Sequence, residues 1–340
     1  MDPSQLDTKI KENTKIKDQQ QNQDQNQDQN QDQNPYEIKT LQYGDGILDK
    51  HIDATYIIHL RGNGREQRVF EELAKIHPTN RVHIVYNEGF RKCDKGPRVK
   101  TTVDDLTHTY LWIFENARVE RYRNILILED DFIFSDKIQE PGHQQKMFDI
   151  METRKREDYL FLLGCLPFLL LPRDRHSYTG ITAGMHCAIY SEQCILNTLA
   201  NREKIVDWDI FFNFVSETTN KYVYPEPLCY QLFPLTENSN NWGMEHVVLA
   251  VLSSLVKPAM QLCQLDRHVE PGYSIFYAFS KILGLVLVGI VAYIIALYPL
   301  FHTLDYFWEI PERSRRESVG IERFSIETDV GAAHPFRWRI

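Results

Sequence analysis

No two of the six cysteines, at positions 93, 165, 187, 194, 229 and 263, stand at a CxxC spacing. That excludes a metal-finger site and a redox dithiol motif, and free, mostly buried thiols are the expectation. No asparagine opens an N-x-[ST] acceptor, and no apolar signal stands at the N-terminus. Both point to a catalytic domain facing the cytosol. A G-x-x-x-x-G-K-[ST] phosphate loop is missing as well, which sets aside a phosphotransferase of that type. Basic charge is short: the formal net charge is -9, whereas a face that binds nucleic acid shows a basic excess. Nucleic acid is therefore not an expected partner.

What is present suits a globular chain with a sizeable core, at 340 residues, 43% hydrophobic and 25% charged. Residues 1–35 form a polar tail ending in QNQD repeats. It has no apolar face to bury, so a disordered, solvated leader is expected, with a binding tether as the alternative. From Thr55 the pattern changes. TYIIHL (55–60) reads as a strand, and Val69, Leu73 and Ile76 recur at helical spacing after a Gly-containing turn. RVHIVYN (81–87) reads as a second strand, 103–118 as a helix, ILILEDDFIF as a third strand and DYLFLLGC (158–165) as a fourth. Strands separated by helices predict an α/β domain with a mostly parallel sheet.

Ile282 to Phe301 contains twenty residues without a charge. A helix of that length crosses a hydrocarbon core of roughly 30 Å, so a single-pass C-terminal anchor is predicted over 274–301. Arg313, Arg315 and Arg316 follow it in a C-terminal tail at 302–340, a weak bias towards placing that tail inside that the missing signal and missing sequons oppose. Residues 246–272, with Lys257 and Pro258, read as an amphipathic, membrane-proximal region.

The chemistry concentrates at NILILEDDFIFS (124–135), where Glu129, Asp130 and Asp131 crowd a strand end. Like charges there repel and raise their own pKa values. A hard divalent cation, Mn²⁺ or Mg²⁺, relieves that repulsion with carboxylate and phosphate oxygens as ligands. Strand alternation assigns Glu129 and Asp131 to one face as the metal pair and Asp130 to the other. Arg61, Arg65 and Arg68 after the first strand offer cationic forks for a diphosphate. Lys92, Lys95, Arg98 and Lys100 form a second basic loop, which reads equally well as solvated surface.

These segments resemble glycosyltransferase family 25, the lipooligosaccharide and collagen galactosyltransferase-like enzymes. The carriers are IIHLRGNGREQR, with His59 where the family usually has Asn; DDLTHTYLW, with Thr107 and His108; Ile127–Asp131; LLGC (162–165); GMHCAIYSEQCILNTL (184–199); VDWDIFF (206–212); and YPEPLCYQ (224–231). They lie in collinear order across 54–242, within a catalytic domain taken as 54–245. Met185 and Gln193 depart from the pattern, and an anchor helix is not a general family feature. The resemblance implies a GT-A type, Rossmann-like domain that takes a nucleotide-sugar donor, UDP-hexose first, and a glycan or glycoprotein hydroxyl acceptor. It further implies His186 as a third metal or phosphate contact and His108 near the donor. Asp130, on the opposite strand face, is expected to orient the donor, and Asp207, with Asp209 second on the same face of an extended VDWDIFF segment, is expected as catalytic base or acceptor ligand, whereas on a helix the two would diverge. Competing readings stand beside each: a helix N-cap for Asp207, a hydrogen-bonded core residue for His186 or His108, and plain burial rather than sugar stacking for Trp208. A catalytically silent membrane scaffold is the alternative for the whole chain.

Overall fold

The computed structural model describes residues 34–231, 258, 260–265 and 267–318, with side chains up to 298. The polar tail up to residue 33, most of the proposed amphipathic region and the chain beyond 318 lie outside these residues. Packing divides the chain into two units, Met1–Leu285 and Val286–Ile340. The first contains all the strands and the first turns of the C-terminal helix.

Its centre is a seven-stranded sheet in the order β1-β3-β2-β4-β7-β6-β8. The strands are β1 (Tyr36–Gln42), β2 (Ala54–Leu60), β3 (Arg81–Asn87), β4 (Asn124–Glu129), β6 (Tyr159–Pro172), β7 (Tyr178–Ser191) and β8 (Asn220–Val223). Five of them, β2, β3, β4, β6 and β8, run one way; β1 and β7 run against them. The sheet is thus mixed but mostly parallel in direction, as expected. Helices α1 (Glu66–Lys75), α2 (Thr102–Val119), α3 (Pro141–Thr153) and α4 (Glu192–Ala200) supply the layers on its faces.

Alternation along the central strands sorts the core. Tyr56, Ile58, Ile125 and Ile127 pack with Tyr110, Ile113, Phe114 and Ala117 of α2 and Ile195 of α4. Ile57, Leu126 and Leu128 pack with Val69 and Leu73 of α1 and Met147 and Ile150 of α3. Strands buried on both faces read as continuous apolar runs, which is why ILIL and YIIHL carry no polar alternation. Helix α2 begins where predicted for a clear local reason. Thr101 Oγ1 accepts from the Asp104 amide while Asp104 Oδ2 accepts from the Thr101 amide, a reciprocal cap.

Two features extend the unit on both sides of 54–245. Edge strand β1 pairs antiparallel with β3 over seven residues. At the other end, helix α5 (Gly272–Ser318) buries Tyr273, Tyr277 and Ser280 in the first unit. Those positions fall on one face of a helix. Within α5, Gly272–Tyr298 is long and apolar enough to cross a membrane, with 11% of its most apolar window buried. Ile282, Leu285, Val286, Ile290 and Ile294 are all exposed.

The predicted third strand is broken. β4 ends at Glu129, Asp130 and Asp131 form a turn, and β5 (Phe132–Phe134) starts a separate two-stranded sheet with β9 (Cys229–Gln231). Strand alternation therefore does not carry through the acidic triplet.

Candidate active site

The triplet lies where the codirectional strands β2 and β4 end, the usual place for ligands in an open α/β sheet. The β2–α1 loop closes over it. Gly62 and Gly64 have φ of +83° and +77°, a left-handed backbone that glycine adopts without strain. They place Asn63 and Arg65 over the acids.

Asp130 is saturated with donors. Its Oδ2 accepts from His59 Nδ1 at 2.9 Å, the Leu60 amide at 3.1 Å and Asn63 Nδ2 at 2.6 Å, and its Oδ1 accepts from Arg65 Nη1 at 2.9 Å. Burial pushes its carboxyl up, but the bonds from His59, Arg65 and Asn63 together with the Arg65 charge outweigh burial and hold it below its ordinary value. Asp130 is therefore an ionised strut beneath the loop.

Asp131 is bound differently. Both its oxygens accept from Gln231 Nε2 at 2.8 Å, and Arg65 Nη1 lies 3.3 Å from Oδ2. The pairing of Phe132 with Gln231 across β5 and β9 sets this up. Burial still dominates and pushes its carboxyl up to about 6. Glu129, at the end of β4, accepts from Tyr110 Oη at 3.4 Å. Burial first, then the charges of Asp131, Asp209 and Asp130, push it up to about 8. Asp131 and Glu129 thus share a deficit of positive charge.

Asp209 belongs with them electrostatically, since its charge acts on both Glu129 and Tyr110. Its Oδ2 accepts from the Gly184 amide at 2.8 Å. Burial and the neighbouring Asp207 charge push its carboxyl up to about 7. Asp207 takes another role. The backbone turns helical at Trp208–Ile210 and continues as a π-turn through Val215, and Asp207 caps it by accepting from the Ile210 amide at 2.8 Å. On a helical turn the two carboxylates diverge instead of sharing a face, so Asp209 replaces Asp207 as the first candidate base. Trp208 is buried, stacked on Tyr110 at 4.3 Å and donating to Tyr190 Oη. It has no face left for a sugar.

Of the three arginines, Arg65 alone reaches the acids. Arg61 pairs with Glu37 and Glu88 and lies over the Tyr86 ring, on the wall of a neighbouring cavity of about 380 Å³. Arg68 lies further along α1, half-buried, and makes no ion pair among the described residues. His108 bonds and stacks with Tyr36, and burial lowers its pKa. It supports the β1 edge of the fold. In the second basic loop, Lys95 is fully buried between Asp105 and Asn87, and its loop therefore closes on the fold.

His186 is completely buried, with Nδ1 2.7 Å from the Gly184 carbonyl and Nε2 3.2 Å from the Cys229 carbonyl. Burial lowers its pKa to about 4. With both ring nitrogens facing carbonyls, neither is directed at a cation, and it leaves the ligand set. Among the described residues no three His, Cys, Asp or Glu side chains gather as a ready metal site. The donor set fits a looser arrangement, two crowded carboxylates with the remaining ligands from phosphate and water, which suits Mg²⁺ and Mn²⁺.

His59, Asn63, Tyr110 and Gln231 are site residues that motif reading passed over. His59 and Gln231 lie inside the family-like segments IIHLRGNGREQR and YPEPLCYQ, one as a departure and one as the final residue. Their partners are 71 and 100 positions away in sequence, and no local signal encodes that.

No protein-family model matches the chain, and no curated protein does either. Solved structures that resemble it do so faintly. A glycosyltransferase involved in the glycosylation of the major capsid of PBCV-1 is 12% identical, with 51% of this chain and 82% of that one covered, at a TM-score of 0.31. Mannose-1-phosphate geranyltransferase from Thermus thermophilus is 12% identical over 50% and 72%, at 0.30. A197 from STIV is 12% identical over 50% and 80%, at 0.29. Likeness this slight leaves the argument to the chain's own geometry.

Proposed function

We propose that the chain is a membrane-anchored glycosyltransferase that moves a sugar from a nucleotide-sugar donor, UDP-hexose first, to a hydroxyl of a glycan or glycoprotein. One observation carries the reading. At the strand ends an ionised Asp130 is locked by Arg65 and His59, while the charges of Asp131 and Asp209 both repel the buried Glu129 and burial pushes all three of these carboxyls up. Perturbed carboxylates in a cleft mark sites that await a charged partner.

In this reading Glu129 and Asp131 would hold Mn²⁺ or Mg²⁺, which would neutralise the charge on the leaving nucleoside diphosphate. Asp130, Asn63 and Arg65 keep the glycine loop in register beside the diphosphate. Asp209, with a carboxyl near neutrality, accepts the proton of the acceptor hydroxyl as its oxygen bonds to the anomeric carbon. The bond from that carbon to the phosphate oxygen breaks, and its electrons leave with the diphosphate. Helix α5 would hold the enzyme at a membrane, with an acceptor carried there.

The test is a thermal-shift screen of the full chain in detergent against a panel of nucleotide sugars, with and without Mn²⁺. We expect cation-dependent stabilisation by a UDP-hexose, and donor hydrolysis that Asp131→Ala removes. If no nucleotide sugar stabilises the chain, the silent-scaffold reading replaces this one.

A further inference from the structure

Helix α5 begins inside the domain that carries the acids. Its first turns insert Tyr273 and Tyr277 into the core, both fully buried. Tyr277 Oη lies 3.5 Å from Cys165 Sγ. Glu270, just before the helix, accepts from Tyr230 Oη at 2.9 Å and from Ser274 Oγ at 2.9 Å. Two neighbouring residues of β9 are thus tied to the start of α5, Tyr230 by Glu270 and Gln231 by Tyr273.

The second tie is the consequential one. Tyr273 Oη accepts from the Gln231 amide at 3.0 Å and donates to the Gln231 carbonyl at 2.9 Å. A single hydroxyl thereby satisfies both main-chain groups of one residue on a two-stranded sheet, as a neighbouring strand would. The Gln231 side chain, 2% exposed, donates Nε2 to both oxygens of Asp131, while its Oε1 is buried without a partner among the described residues. A buried acceptor left unpaired favours turning the amide elsewhere. What opposes that turning is the clamp on the backbone beneath it.

We propose that Tyr273 is a positioning residue: from the first turn of the membrane-anchor helix it fixes Gln231, and through Gln231 it fixes Asp131. The anchor is then part of the site's support as well as a tether. This rests on the proposed reading of Asp131 as a cation and donor ligand.

Two measurements on the full chain in nanodiscs test it. Hydrogen exchange at the amides of 229–231 and 130–131 is compared between wild type and Tyr273→Phe, which keeps the buried ring and removes only the hydroxyl. Faster exchange in both segments is expected, and unchanged exchange overturns the clamp. Calorimetric binding of UDP in Mn²⁺ is then measured for Tyr273→Phe, Gln231→Ala and the double variant. Each single change is expected to weaken binding about tenfold, as for the supporting partners of other metal ligands, and the double to be no weaker than Gln231→Ala. A double variant that loses the product of the two single losses shows Tyr273 acting by general stability, and overturns the proposal. If wild type does not bind UDP, the functional reading fails, while exchange still decides the clamp.

Discussion

Arg65 Nη1 stands 2.9 Å from Asp130 Oδ1 and 3.3 Å from Asp131 Oδ2, so one guanidinium spans two adjacent buried carboxylates. Arg65→Ala strands both. We expect destabilisation at the low end of the ~3–5 kcal/mol that breaking a buried pair costs, because 20% of the Arg65 side chain is already exposed. Arg65→Lys should recover charge but not the shared contact, and restore the melting temperature only in part. Urea unfolding checks both variants, and a neutral Arg65→Ala would refute the bridging role.

The carboxyls give opposite pH signatures. Glu129, Asp209 and Asp131 are pushed to about 8, 7 and 6. The native state then holds protons that the unfolded chain has released, so stability falls as pH rises from ~4 towards 8. Asp130 runs the other way: its contribution is present above its unfolded value of ~3.9 and is lost as pH falls through its lowered native value. In EDTA the melting temperature should peak near pH ~5 and decline towards pH ~8. Glu129→Gln should flatten that decline and raise the pH 8 value by several degrees. An unchanged slope in Glu129→Gln would show that repulsion at Glu129 is not its source.

Mn²⁺ should act against the same repulsion. If Glu129 and Asp131 hold the ion, the melting temperature should rise more with Mn²⁺ at pH 8 than at pH 5, because protons compete for the same oxygens. Glu129→Gln should lose most of the gain. Equal shifts at both pH values would point to binding elsewhere.

Lys95 separates a buried cation from a solvated one within a single loop. Its side chain is fully buried against Asp105, so Lys95→Ala should cost ~3–5 kcal/mol. Lys100→Ala, at an exposed position, should change stability by less than ~0.5 kcal/mol. Paired denaturant melts decide it, and equal costs would contradict the burial of Lys95.

How far the chain could be read from its sequence follows the range of the signal. The second strand and helix α2 were legible because RVHIVYN is a short stretch rich in Val, Ile and Tyr and TTVDD carries its own cap. Strand β1 was not, because YEIKTLQ alternates on an edge and follows a polar tail. The acidic triplet was legible as chemistry through like charge alone. Its division of labour was not, since a turn at Asp130 ended the strand alternation, and His59 and Gln231 arrive from distant segments. Asp207 and Asp209 were separated by one local event, the helical turn at Trp208.

That separation supplies the sharpest functional test. Asp207 caps the turn through the Ile210 amide, so Asp207→Ala should cost ~0.5–2 kcal/mol of stability and leave transfer within a few-fold of wild type. Asp209 sits with Glu129 and has its carboxyl near 7, suited to take a proton at neutral pH. Asp209→Asn should leave UDP binding in Mn²⁺ intact and lower sugar transfer by ~10²-fold or more. The measurement is the rate of sugar transfer beside the calorimetric affinity for UDP. Donor binding and transfer lost together would mean that Asp209 serves the diphosphate side of the site. Transfer lost in Asp207→Ala alone would return the base to Asp207.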